Sequence, residues 1–130
     1  MKLFTTLIVV FCVVSITGCK KPLFDYRKKY LGDYSFSVHE SSSIGGTSHD
    51  TSYTNDGTIT KGSDLQSILI TYSSGASEEF ILFEDGSIRL YDSNSSSSTG
   101  EFESVNKMRY TIEWEHMFFW GIKSVTGTRK

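Results

Sequence analysis

From Gly32 onward, apolar and polar side chains alternate more often than they cluster. Tyr34, Phe36 and Val38 alternate with Asp33, Ser35 and Ser37, the period of two expected of a strand with one face in a core. The cleanest stretch is Met108 to Glu115: Met108, Tyr110, Ile112 and Trp114 fall on one face, and Arg109, Thr111, Glu113 and Glu115 on the other. Between these lie a β-branched run at Ile68 to Tyr72 and a threonine-rich run at Asp50 to Lys61, with Asn55-Asp56-Gly57 predicted as a bulge or turn. Glu79 to Phe83 is predicted to pair with Ser87 to Tyr91 across Glu84-Asp85-Gly86, where Asp-Gly is a strong hairpin signal. Gly100 to Val105 precedes a tight turn at Asn106-Lys107, and Trp120 to Lys130 supplies a last strand. Ser41 to Ser48 and Asp92 to Thr99 read as loops on composition. No sustained helical period follows Tyr30. The pattern therefore predicts an all-β fold: an antiparallel meander of about eight short strands, closed as a small barrel or stacked as a two-layer sandwich. Side chains would fill most of such an interior, leaving at best a shallow pocket at one end.

The N-terminus follows a different rule. Lys2 is followed by an uncharged apolar run, Leu3 to Ile16, of about 14 residues, against about 20 needed to cross a bilayer core as a helix. It suits the apolar region of an export signal, here a signal helix. At its end, Ile16-Thr17-Gly18-Cys19 resembles the lipobox of bacterial lipoproteins. That resemblance implies cleavage between Gly18 and Cys19, diacylglycerol on the Cys19 thiol and acylation of the new amine, giving a signal peptide at 1–18. Residues 19–31 then form a lipidated tether, rich in Lys20, Lys21, Arg27, Lys28 and Lys29, and 32–130 form the β domain. One acyl chain binds a membrane only marginally, whereas two or three on one residue hold it effectively for good.

Charge and cysteines narrow the chemistry. The formal net charge is −2, which leaves no electrostatic footprint for nucleic acid. Cys12 departs with the signal and Cys19 is taken by lipid, so the mature domain has neither a disulfide nor a sulfur ligand for metal. His39 and His49 stand beside Glu40 and Asp50, but adjacent strand residues point to opposite faces and cannot act as base and orienter. Glu113 and Glu115 with His116 read as the solvent-facing end of a strand. The Asp92-to-Glu103 stretch carries Ser97 where a calcium loop needs its turning glycine. No G-x-S-x-G elbow occurs. The sequence thus assigns no catalytic residue, no metal ligand and no cofactor beyond the lipid on Cys19.

One cluster stands out. Trp114 with Met117, Phe118, Phe119 and Trp120 cannot all enter one core, because Phe118 and Phe119 are adjacent. It is a candidate binding tip for a partner protein, a sugar or a membrane interface, or else a plug for one end of the barrel.

Phe24-Asp25 followed by Tyr30-Leu31-Gly32-Asp33-Tyr34 is similar to the opening of lipocalin-like proteins, with Tyr34 in place of the family's tryptophan. The chain also resembles the small Gly/Ser/Thr-rich β lipoproteins of Bacteroidota. These resemblances imply a β-rich lipoprotein of the cell envelope, anchored to a membrane through its lipid, but no ligand and no reaction; the lack of a catalytic constellation is what makes the expectation a non-enzymatic binding protein. Its β domain would bind an envelope protein, a glycan or a small apolar ligand. A protective lipoprotein of the lysozyme-inhibitor kind and, last, a hydrolase are the alternatives. Lys20 stands where some bacteria use Asp for inner-membrane retention, which places the outer membrane ahead of the inner.

Overall fold

A computed structural model of the chain describes residues 24–92 and 96–130. The signal peptide, the Gly18–Cys19 junction and the tether up to residue 23 lie outside the described residues. Among those described, no helix is long and apolar enough to cross a membrane.

Eight strands form one closed antiparallel barrel in simple sequential order: β1 (Gly32–Ile44), β2 (Thr47–Lys61), β3 (Ser67–Tyr72), β4 (Ser77–Leu82), β5 (Ser87–Leu90), β6 (Ser96–Ser104), β7 (Lys107–His116) and β8 (Phe119–Arg129). Closure comes from β8 pairing with β1 over the register Tyr34↔Arg129 to Ile44↔Phe119. Of the two packings that the alternation allowed, the barrel is the one formed.

The alternating residues do what their period requires. Tyr34, Phe36 and Val38 are buried, as are Met108, Tyr110 and Ile112, and they meet Ile59, Ile68, Ile70, Phe80, Leu82, Ile88, Phe102 and Val125 in a single core. Phe36 needs room, and two glycines on flanking strands provide it. An added Cβ on Gly57 would meet the Phe36 ring at 3.0 Å, and one on Gly127 at 2.8 Å.

Three expectations fail. Asn55-Asp56-Gly57 is neither bulge nor turn, since β2 runs through it in unbroken register with Phe36, Ser35 and Tyr34. Ser41 to Ser48 is not a loop: it is the upper half of a long hairpin that turns at Gly45-Gly46, both at positive φ. Ser96 to Thr99 likewise belongs to β6, paired with Trp114 to Thr111. In each case ladder hydrogen bonds to a neighbour outweigh the turn-like composition. The extended course of Ser96 to Glu103 also rules out the wrapped path that a calcium loop requires.

The two ends of the barrel differ. At one end a 3-10 turn, Tyr26–Tyr30, is capped by Asp25 and seals the opening. Tyr30 stacks on Phe102 with ring centroids 4.0 Å apart, and the Tyr26 hydroxyl donates to the Leu82 carbonyl at 2.8 Å. Arg27 is buried, donates to the carbonyls of Asp64 (2.7 Å) and Ser67 (3.0 Å), and pairs with Asp25 at 2.8 Å. Lys61 reaches the same carboxylate at 2.6 Å. The Arg27 hydrogen bond, followed by that of Lys61, holds the Asp25 carboxyl well below the usual carboxylate range. At the other end β1, β2, β7 and β8 outrun the short β3, β4 and β5, so a curved sheet rises above one side of the mouth.

Candidate functional site

The tall strands keep their alternation above the core, which decides what faces the mouth. Val38 is followed on the inner side by Glu40; Val125 is preceded by Lys123, then Gly121 and Phe119; Ile112 is followed by Trp114. On β4, Glu78 has the phase of Phe80 and Leu82 and also points inward.

Glu78 and Lys123 meet across the barrel, Nζ to Oε1, at 2.6 Å, with side chains only 18% and 14% exposed. The Tyr72 hydroxyl donates to Oε2 of Glu78 at 2.9 Å, the Tyr110 hydroxyl donates to the same oxygen, and the two hydroxyls touch each other. The Lys123 ammonium also lies 5.0 Å from the centre of the Tyr72 ring. Burial, and then the Glu78 charge, push the Tyr72 and Tyr110 phenols far above their ordinary range, so both stay protonated donors. Higher on the wall, the Tyr53 hydroxyl donates to Glu40 at 2.9 Å. The floor of the open end is thus a satisfied polar network rather than more aliphatic core.

Replacing a buried ion pair with well-packed apolar side chains is often neutral or stabilising. A pair held at the accessible limit of a core therefore suits recognition better than stability. As built, it offers a fixed ammonium and carboxylate to a polar group arriving from the mouth.

The predicted tip divides among three places. Trp114 and Phe119 lie on the inner side with ring centroids 6.4 Å apart, and the Trp114 indole lies so close over Gly121 that an added Cβ would sit 2.4 Å from it. Met117 and Phe118 form the β7–β8 turn and are 90% and 81% exposed. Trp120 faces the outside of the barrel, half exposed. The neighbouring β1–β2 turn adds exposed Ile44, and the Gly45 amide donates to the Phe118 carbonyl at 3.2 Å, tying the two hairpins together. The rim is therefore apolar at Ile44, Met117 and Phe118, and above the charged floor the wall is aromatic on the β7–β8 side and polar on the β1–β2 side, where Glu40, Ser42, His49 and Thr51 share the inward phase.

Glu78, Lys123, Tyr72 and Tyr110 were not singled out from the sequence. The signal was available, because a charged residue in phase with buried neighbours, as Lys123 is with Val125, has to find a partner inside. His39 gains neighbours that reasoning from adjacent residues did not consider: across the strands its Nδ1 lies 2.9 Å from Ser52 Oγ and 3.4 Å from Asp50 Oδ1. Both contacts fall on one nitrogen of an exposed ring, whereas a relay needs nucleophile and orienter on opposite nitrogens of the histidine. Among the described residues no three His, Cys, Asp or Glu side chains converge as metal donors.

No protein family model matches the sequence, and no curated protein matches it. Similar solved structures include the ywiB protein from Bacillus subtilis, 9% identical, with a TM-score of 0.39 over 80% of this chain and 98% of that one. Another is the S-type phycobiliprotein lyase CPES from Guillardia theta, 13% identical, with a TM-score of 0.43 over 82% of this chain and 91% of that one. Likenesses this loose carry no argument about the site.

Proposed function

We propose that the chain is a lipid-anchored lipoprotein of the cell envelope, outer membrane ahead of inner, whose barrel is a non-catalytic binding domain. On this reading the binding end is the open mouth. The observation that carries it is the exposed apolar rim of Met117, Phe118 and Ile44 above the Glu78–Lys123 floor. Exposed apolar side chains at the junction of two hairpins, over a polar network that the core does not need, are what an amphipathic group on a partner would engage.

The anchor supports the same arrangement. Lipid on Cys19 would enter at the sealed end, because the 3-10 turn packs there. The six residue steps from Cys19 to Asp25 span at most about 22 Å. The 11 residues of β8 run about 35 Å from that end toward the rim. With the barrel standing on its tether, the mouth faces away from the anchoring membrane, toward a partner in the envelope.

A photo-crosslinking residue in place of Phe118, compared with one in place of Asn106 at the sealed end, tests this in the full chain expressed in its own cells with alkyne-palmitate labelling. The expected result is palmitate label that Cys19→Ser abolishes, and discrete adducts from position 118 alone. Equal label on the Cys19→Ser form would overturn the anchor. Equal or absent adducts at the two positions would overturn the binding end.

A further inference from the structure

Cross-strand register also orders the outer face of β6, β7, β8 and β1, on the opposite side of the sheet from the mouth. Ser37, Thr126, Arg109 and Glu101 form one row across the four strands. His39, Ser124, Thr111 and Thr99 form the next, then Ser41, Ile122, Glu113 and Ser97, and finally Ser43, Trp120 and Glu115. The first two rows line a groove of about 570 Å³, and Ser97, Glu113, Ile122, Glu115 and Trp120 of the last two line a second of about 300 Å³ further along the same strands. Two residues of strand advance about 6.8 Å, so four rows make a strip about 20 Å long.

Its chemistry is uneven in a telling way. The first rows present hydroxyls and the Arg109–Glu101 pair, closed at 2.6 Å. Trp120 offers a half-exposed ring at the far end. Beside it stand Glu113 and Glu115, and among the described residues neither has an ion-pair partner. Two uncompensated carboxylates repel phosphate, anionic lipid headgroups and acidic polysaccharides. They accept hydrogen bonds from hydroxyl groups, and an indole face stacks on the C–H face of a pyranose ring.

We propose that this outer strip binds a neutral oligosaccharide lengthwise, with Trp120 as the stacking platform, Glu113 and Glu115 as acceptors of sugar hydroxyls, and the Ser/Thr rows extending the contact along the chain. It is a second site, separate from the mouth, and stands or falls independently of it.

Calorimetric titration of the full chain in detergent with cellohexaose, chitohexaose and laminarihexaose, and with polygalacturonate as the anionic counterpart, tests it. Saturable binding of at least one neutral hexasaccharide is expected. Trp120→Ala should weaken that binding about tenfold, and Glu113→Gln with Glu115→Gln a few-fold, while Phe118→Ser on the rim leaves it unchanged. Trp120 and both glutamates lie outside the core, so circular dichroism should report an intact fold in each variant. Absence of binding by all three neutral sugars, equal binding of polygalacturonate, or full affinity in Trp120→Ala would each overturn the assignment. If Phe118 crosslinking succeeds while the sugars fail, the mouth stands and the strip falls.

Discussion

Phe36 lies where two strands carry no side chain. A methyl group on Gly127 would stand 2.8 Å from Cε1 and 2.9 Å from Cδ1 of that ring and 3.0 Å from Cγ of Met108, in a core already closed around them. Gly127→Ala should therefore cost about 1–3 kcal/mol by overpacking, read as an earlier urea midpoint with an unchanged slope. The Glu78–Lys123 pair calls for a different experiment. Lys123→Met alone leaves a buried carboxylate facing two phenols and should destabilise by about 3 kcal/mol, whereas Glu78→Leu with Lys123→Met should regain most of that loss. A double variant as unstable as the single one would make the pair a structural brace rather than a recognition element. Such residues were hard to read in advance because strand alternation sorts side chains into inside and outside but does not say which inward ones meet. Glu78 and Lys123 are 45 positions apart and come together only through closure.

Among the elements, the 3-10 turn has the most to lose. Its buried Arg27 is tied to the carbonyls of Asp64 and Ser67 and to Asp25, and only the Ser67 hydroxyl, at 3.3 Å, shares the Asp64 carbonyl with it. The folded Asp25 carboxyl titrates below its unfolded value of about 3.9. Its contribution is therefore complete above about pH 5 and fades as the pH falls through and below 4. Chemical denaturation at pH 7 and again at pH 2.5 should show the stability gap between the native chain and Asp25→Asn narrowing sharply at the lower pH; an unchanged gap would mean that Arg27 and Lys61 do not hold this carboxylate as described. Elements differ in how openly the sequence displays them. Met108 to Trp114 and the Asp85-Gly86 hairpin were legible because amphipathic alternation and a left-handed glycine, φ 90° at Gly86, are local properties. Ser41 to Ser48 was not, because serine and glycine have little strand preference of their own. What holds this hairpin is the ladder to β8, from Ser41↔Ile122 to Ile44↔Phe119.

At the scale of the molecule, the fold gives its surfaces different chemistry: a sealed end, a mouth with an apolar rim, and a flank lined by hydroxyls. The antiparallel all-β meander was readable from the rhythm of strands and turns; its closure as a barrel rather than a sandwich was not, because that depends on β8 reaching β1, nor was the difference between the ends, which depends on the unequal strand lengths and on where the N-terminal turn docks. The pairing of β1 with β8 carries a consequence in time. The first strand to emerge in synthesis has to wait for the last, with about 90 residues between Val38 and its partner Val125. Until Phe119 to Arg129 arrives, one side of β1 is an unpaired ladder with nothing native to bind. A nascent chain of this kind stays open until β8 has emerged, and a copy cut before Phe119 should be found in inclusion bodies rather than as a shorter barrel.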